Sequence, residues 1–233
     1  MQRWLSHYDA DVRPTLEPYP ADTLIDYLAR LAREHGSRAA ILFKGATISY
    51  RQLDDESNAL AAALIARGVT RGDRVALVLP NCPQFLVAEF GAWKAGAIAV
   101  PLNPTYSERE LEQALEATKA EMVVTLSLFY ERIGRVRGRT SVRTVIATSI
   151  KEYLPPVLRI LFTLVKERKE GHRIRLNASD ASLQGLLNRH RGAARPDVAV
   201  GPDDRAVILS SGGTTGTPKG VVGLHRHYVE AGS

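Results

Sequence analysis

One stretch near the end of the chain combines the residue types that bind a polyanion. Between the apolar runs Val207–Leu209 and Val221–Val222 lie four glycines, five hydroxyl residues and one lysine. Glycine has no Cβ and tolerates positive φ, so its backbone amide approaches a ligand closely. Successive N–H groups then converge on phosphate oxygens, while hydroxyls add donors or metal ligands and lysine adds a compact positive charge. This composition predicts a phosphate-binding loop rather than a flexible linker, because a strand-like run precedes it directly.

The spacing within this stretch excludes a Walker A loop. That loop requires a glycine, four residues, and then Gly-Lys-Ser/Thr without interruption. Here Thr217 and Pro218 separate Gly216 from Lys219, and Gly220 follows the lysine. No residue after Lys219 therefore places a hydroxyl on Mg²⁺ in the Walker manner.

The stretch instead resembles the phosphate-binding signature of the adenylate-forming superfamily, Ser/Thr-Ser/Thr-Gly-Thr/Ser-Thr-Gly-x-Pro-Lys-Gly. Residues 211–220 match it with one departure, Gly212 in place of a hydroxyl residue, and that variant is similar to the long-chain fatty-acid branch. The resemblance implies ATP, Mg²⁺ and CoA as the small molecules used, a catalytic role for Lys219, and a place for Ser211 near the metal–phosphate unit. The nucleotide-binding residues that it implies are Ser211, Gly212, Gly213, Thr214, Thr215, Gly216 and Lys219.

The elements before this loop predict an α/β fold. Short, nearly continuous apolar runs alternate with helical patterns, which is typical of parallel strands buried on both faces and joined by right-handed crossovers. We therefore expect parallel-sheet layers flanked by helices. The expected strands are 73–80, 97–102, 121–126 and 205–209, and an earlier hairpin pairs 39–43 with 47–50.

The resemblance extends over about residues 22–126 and 199–229, and it implies the domain organisation. We expect an N-terminal arm at 1–21 and an incomplete N-terminal adenylation domain at 22–233, with a basic insertion at about 127–198. His225 and Arg226 match a Thr-His-Arg-Asn step that follows the signature in many relatives, whereas Gly223 and His227 depart from it. In relatives the adenine contacts, acyl pocket and C-terminal domain come later, so we expect a truncated chain that does not complete catalysis alone.

Composition and charge restrict the setting and the partners. One cysteine, Cys82, provides no disulfide framework, and the start has no apolar core of signal-peptide length, so we expect a cytoplasmic protein. The net charge is +6, but residues 131–195 carry 15 Lys/Arg against 5 Asp/Glu. That basic segment lacks interleaved aromatic residues or a known nucleic-acid motif, so we expect no nucleic-acid partner.

The segment 153–175 has two interpretations. Its apolar run, 153–166, is too short to span a bilayer and is followed by basic residues. A basic amphipathic helix of this kind lies in the interface of an anionic membrane, which would make the protein peripheral. The alternative is a core helix with a solvated basic end, which we favour because a single charge, Arg159, interrupts the run.

The predicted function is ATP-dependent activation of a fatty acid, expected to be long-chain, to acyl-adenylate and then to acyl-CoA. A ligase for aryl or shorter-chain acids is the alternative within this class, because the acyl pocket lies outside the sequence. From another class, the alternative is a non-catalytic fragment or an anion- or membrane-binding module. The coding frame beyond Ser233 discriminates between enzyme and fragment.

Overall fold

The structure is a computed structural model that describes residues 6–9, 11–12, 15, 17–167, 169, 171–210 and 220–231. The strands are β1 (Ala39–Phe43), β2 (Ala46–Ser49), β3 (Arg74–Val78), β4 (Ile98–Leu102), β5 (Met122–Leu126), β6 (Thr144–Thr148), β7 (Ala181–Ser182), β8 (Arg205–Ser210) and β9 (Gly220–Leu224). The helices are α1 (Leu24–Glu34), α2 (Tyr50–Ile65), α3 (Pro83–Lys94), α4 (Glu108–Thr118), α5 (Ser127–Arg137), α6 (Pro156–Leu161), α7 (Leu183–Arg189) and α8 (His225–Glu230). A 3₁₀ turn (Ile150–Tyr153) precedes α6, and one turn of π-helix (Phe162–Lys166) continues it.

Seven strands form one sheet in the order β7-β6-β5-β3-β4-β8-β9. Every neighbouring pair is parallel except β8 and β9, which are antiparallel. The expected parallel sheet is therefore confirmed. The hairpin of β1 and β2 forms separately, as predicted.

Helices cover both faces of this sheet, as the apolar strands predict. Alternate residues of β3 belong to different cores: Val75 and Leu77 pack with α2 and α3, and Ala76 and Val78 pack with α4 and α5. Side chains of a strand alternate between faces, so strands covered on both faces are apolar at nearly every position. This two-sided burial fixes the sheet that carries the loop.

Side-chain caps begin several helices where the sequence places them. Thr23 and Ser107 form reciprocal capping boxes with Asp26 and Glu110. The box expected between Ser49 and Gln52 forms only in part: Ser49 Oγ accepts from the Gln52 amide at 3.2 Å. The Gln52 side chain donates instead to Glu56 Oε1 at 2.8 Å, one helical turn ahead.

Lys94 joins α2 to α3 inside the core. Its buried Nζ donates to Asp54 Oδ1, Ser57 Oγ and Asn58 Oδ1, each at 2.7 Å. Three acceptors satisfy the three N–H groups of an ammonium, so this lysine has a structural role.

Residues 127–198, where we expect a basic insertion, contribute α5, β6, β7 and α7 to the sheet and its cores. The boundaries of the insertion stay a prediction, as do those of the N-terminal arm. The favoured interpretation of 153–166 as a core helix is wrong, because neither α6 nor the π-turn contains a buried residue. Its contacts with the rest of the protein include those of Arg159 with Glu152 and of the Phe162 ring with His172. None of the described helices has the length and apolar character needed to cross a bilayer.

Candidate phosphate-binding site

The predicted site residues lie outside the described part of the chain. Ser211, Gly212, Gly213, Thr214, Thr215, Gly216 and Lys219 all belong to the segment 211–219. The structure does describe both ends of this segment. Ser210, the last residue of β8, pairs with Gly220, the first residue of β9. The nine-residue segment therefore leaves and re-enters the sheet at one closed hairpin end.

This hairpin end lies at the carboxyl edge of the parallel strands. β8 pairs with β4 through Val207 and Ala99, and continuing that register brings Ser210 level with Leu102, where β4 ends. Ligands of open α/β sheets bind in the crevice outside the carboxyl ends of the strands. The segment 211–219 thus starts where such a fold places a ligand.

Trp93 anchors the base of the hairpin to α3. Its indole Nε1 donates to the Ala206 carbonyl at 2.7 Å, and its side chain is only 2% exposed. The rings of His225 and Tyr228 on α8 pack against it, with centroids 5.4 and 5.9 Å away. One buried aromatic residue therefore fixes the start of β8 and the helix after β9.

Gly223 and His227, which depart from the Thr-His-Arg-Asn pattern, each have a structural role here. A Cβ at Gly223 would lie 2.7 Å from Val207 Cγ1 across the β8–β9 pair, closer than real contacts allow. His227 caps α8, because its Nδ1 accepts from the Leu224 amide at 3.2 Å. Both residues thus fit the hairpin and the helix that it delivers.

His225 is buried at the start of α8. It is 1% exposed, and its amide donates to the Asp204 carbonyl at 3.1 Å. Burial lowers the pKa of His225 to about 4, and the nearby carboxylates of Asp204 and Asp26 oppose this shift without reversing it. The imidazole is therefore neutral near pH 7, and it contributes to the packing of α8 rather than carrying a positive charge.

This burial predicts acid sensitivity. The unfolded chain binds a proton at His225 near pH 6.5, whereas the folded chain binds it near pH 4. Stability contributed by neutral His225 is thus complete above pH 6.5 and is lost as the pH falls toward 4, by about 3 kcal/mol in all. Urea unfolding at several pH values should show that the free energy of unfolding of His225→Gln falls less steeply below pH 6.5 than that of the wild type. The matched variant of exposed His35, His35→Gln, should keep the wild-type slope; an unchanged slope in His225→Gln would contradict the assignment.

A small cavity of about 150 Å³ lies beside the hairpin end, between α4 and the sheet. None of the described residues that line it is cationic. The lining residues are Val100, Leu102, Gln113, Ala114, Ala117, Thr118, Ile208, Ser210 and Gly220.

A second feature of the carboxyl edge is absent from the sequence prediction. Thr148 Oγ1, Ser149 Oγ and Gln184 Oε1 are buried without a hydrogen-bond partner among the described residues, beside a cavity of about 270 Å³. Thr148 and Ser149 directly follow the apolar run of β6. Their position after a buried strand could have placed them at the carboxyl edge from the sequence. Four strand spacings, about 19 Å, separate β6 from β8, so this cavity is not part of the phosphate site.

The described residues contain no group of three or more His, Cys, Asp or Glu side chains placed to hold a metal ion. Ser211, the residue expected near the metal, belongs to the segment 211–219, which the structure does not describe. His172 is buried and lies 3.2 Å from Ser127 Oγ through its Nδ1, which gives it a structural setting.

Comparison with known proteins supplies the family. A sequence model of the family described as AMP-binding enzyme matches residues 28–233. A long-chain-fatty-acid–CoA ligase of Bacillus subtilis (strain 168) is 32% identical over 227 residues, which is 97% of this chain and 40% of that protein. A crotonobetaine/carnitine–CoA ligase of Salmonella agona (strain SL483) is 31% identical over 209 residues, 87% of this chain and 36% of that protein.

A solved structure agrees with the fold. The crystal structure of a long-chain-fatty-acid-CoA ligase from Archaeoglobus fulgidus superimposes with a TM-score of 0.70 at 26% identity, over 91% of this chain and 38% of that one. The chain spans about 40% of the length of the curated ligase it matches in B. subtilis.

Proposed function

Because the chain belongs to the AMP-binding enzyme family, we propose that it supplies the phosphate-binding part of an enzyme that activates a carboxylic acid with ATP. The product of the first step is an acyl-adenylate, and the product of the second is an acyl-CoA thioester. ATP, the acid and CoA are substrates, and Mg²⁺ arrives with ATP.

The first step joins the acid to AMP. A carboxylate oxygen attacks the α-phosphorus, a new P–O bond forms, and the bond to the β-phosphate oxygen breaks to release pyrophosphate. In the second step the CoA thiol attacks the acyl carbonyl, loses its proton, and displaces AMP. Negative charge accumulates on the departing pyrophosphate, so a site that neutralises this charge accelerates the first step.

The loop 211–219 has the groups that this task needs. Amides around Gly213 and Gly216 donate to the β- and γ-phosphates, with the hydroxyls of Thr214 and Thr215 as further donors. Lys219 adds a full positive charge. Ser211 is our candidate for a hydroxyl contact with the Mg²⁺ of the substrate, a cation that keeps most of its other ligands as water and phosphate oxygen.

One observation of the fold supports this assignment. The paired residues Ser210 and Gly220 hold both ends of the segment at the carboxyl edge of the sheet, beside the end of β4. Anchoring both ends of a glycine-rich segment lowers the conformational entropy that the segment loses when its amides bind a ligand.

For the acid, we propose a long-chain fatty acid. The similarity to the B. subtilis ligase and the Gly212-Gly213 pair support this choice. The similarity to the crotonobetaine/carnitine ligase is nearly as high, so a small polar acid is the competing substrate class. An aryl acid is a third class to be compared.

Acid-dependent ATP–pyrophosphate exchange tests the proposal. It is measured with the longest polypeptide that the coding frame containing residues 1–233 encodes, using saturated fatty acids of increasing length, carnitine and benzoate. We expect exchange that rises with chain length. Exchange with benzoate or carnitine alone would contradict the substrate class. No exchange with any of the acids would contradict the ligase function and favour a non-catalytic anion-binding fragment.

A further inference from the structure

The helix that follows the 3₁₀ turn has an inverted arrangement of polar and apolar residues. We call α6 with its π-turn, residues 156–166, the surface helix. An ordinary surface helix turns its apolar stripe toward the core. Here the apolar side chains point away from the protein: Val157, Ile160 and Leu164 are 76%, 62% and 78% exposed.

The outward residues form one continuous stripe. They lie within the consecutive positions 157–165, and Val157, Ile160 and Leu161 share one face of α6 at the spacings i, i+3 and i+4. Six of the large apolar side chains that are exposed in the described chain lie within these nine positions, and they are Val157, Leu158, Ile160, Leu161, Leu164 and Val165. A stripe of this size in contact with water is unfavourable and indicates a partner.

Polar contacts hold the opposite side of the surface helix against the protein. Arg159 donates to Glu152 Oε2 at 2.6 Å, and just past the helix Glu167 accepts from Lys151 Nζ at 2.8 Å. Between them, the Phe162 ring packs edge-on against His172, with centroids 4.9 Å apart. These contacts orient the helix so that its apolar stripe faces outward.

The charge around the stripe is strongly positive. Residues 156–175 contain six Lys/Arg and two Glu. Lys166 is the last residue of the helix, and Lys169, Arg173 and Arg175 follow it; all four are exposed. Cations beside an exposed apolar stripe match a surface with an apolar interior and anionic headgroups, and long Lys and Arg side chains reach such headgroups from the edge of a buried helix.

The length of the surface helix indicates how it meets this surface. Eleven residues at 1.5 Å each span about 16 Å, roughly half of a bilayer's hydrocarbon core, so the helix lies along the surface. The geometry points to a membrane-docking site on the surface helix, with the apolar stripe inserted among the acyl chains of an anionic lipid surface and Lys169, Arg173 and Arg175 paired with headgroups. This site is independent of the proposed chemistry of the loop.

Vesicle co-sedimentation of this chain tests the site. Two kinds of vesicle are compared, phosphatidylcholine alone and phosphatidylcholine mixed with an equal amount of phosphatidylglycerol. We expect binding to the mixed vesicles at least about tenfold tighter than to the neutral ones. The double variant Leu161→Gln, Leu164→Gln should lose at least about tenfold in binding, because both side chains leave the acyl region. The double variant Lys169→Gln, Arg173→Gln should lose most of the preference for anionic lipid.

Leu42→Gln is the matched control, because Leu42 is an equally exposed leucine on β1. It should bind like the wild type, and circular dichroism should show all variants folded. Three results would overturn the site: no binding to either vesicle, equal loss in Leu42→Gln and the helix variant, or a self-associated chain that the helix variant converts to monomer. The last result would show that a second copy covers the stripe.

Discussion

Replacing Lys219 by alanine should slow ATP–pyrophosphate exchange by about 10²- to 10³-fold, the usual loss when one preorganised charge-stabilising group is removed. The lysine is the basic residue of the segment 211–219, and no cationic residue lines the cavity beside the hairpin end. Its ammonium would stabilise the pyrophosphate more strongly in the transition state than in bound ATP. The main loss should therefore appear in kcat rather than KM.

Two companion variants make this result specific. Lys44→Ala removes an exposed lysine of the β1–β2 turn and should leave exchange unchanged. Lys219→Arg keeps the charge but changes its shape and should recover only part of the rate. The thermal unfolding midpoint of Lys219→Ala should equal that of the wild type. An unchanged exchange rate in Lys219→Ala would remove the lysine from the mechanism.

Replacing Trp93 by alanine should lower the free energy of unfolding by about 3–5 kcal/mol, the range for truncating a large aromatic residue in a core. The substitution leaves a cavity where the Trp93 ring packs between α3, β8 and α8, and it leaves the Ala206 carbonyl without its indole donor. Urea unfolding followed by circular dichroism measures the change.

Trp93→Phe separates the ring from its N–H group. Phenylalanine keeps most of the apolar volume but loses the hydrogen bond, so it should cost about 1–3 kcal/mol. Equal stability of Trp93→Ala and wild type would mean that the hairpin base is held by other contacts. The Trp93→Ala variant should also weaken ATP binding, because the start of β8 loses its anchor to α3.

Much of the fold could be predicted from the sequence because the informative signals are local. The runs that end at Val78 and Leu126 are nearly continuously apolar, with Thr125 as a buried polar exception in β5, and this pattern is typical of parallel strands covered on both faces. The caps at Thr23 and Ser107 require only residues three positions apart. Each of these signals lies within a few residues of the element that it predicts.

The missed features depend on tertiary contacts. The apolar run 153–166 predicts a core helix by composition. Contacts of Arg159 with Glu152 and of Phe162 with His172 instead orient the helix so that its apolar stripe is exposed. Pairing of β9 with β8 likewise requires Gly223 to pack over Val207 across the hairpin. Sequence patterns report how apolar a segment is, whereas the direction in which it faces depends on its neighbours.

For the candidate site, the sequence predicts the ligand-binding chemistry and the structure supplies the position of the two ends. The residue types of 211–219 indicate phosphate binding, and the pair of Ser210 with Gly220 places the two ends of that segment at the carboxyl edge. The polar groups of Thr148 and Ser149 at the same edge lie about four strand spacings away. The apolar run before them indicates their place at the edge of the sheet but not a particular chemistry.

The central claim is that the segment 211–219 binds the polyphosphate of ATP. Nuclear magnetic resonance of this chain with ¹⁵N-labelled glycine tests it directly, since Gly212, Gly213 and Gly216 lie in the loop and the other 15 of the 18 glycines lie outside it. Titration with MgATP should shift the amide resonances of these three glycines and leave those of Gly36 and Gly134 in place. Tripolyphosphate should reproduce the shifts, and adenosine should not. If MgATP leaves the three loop resonances unmoved while shifting others, or shifts none, the assignment of the loop is contradicted.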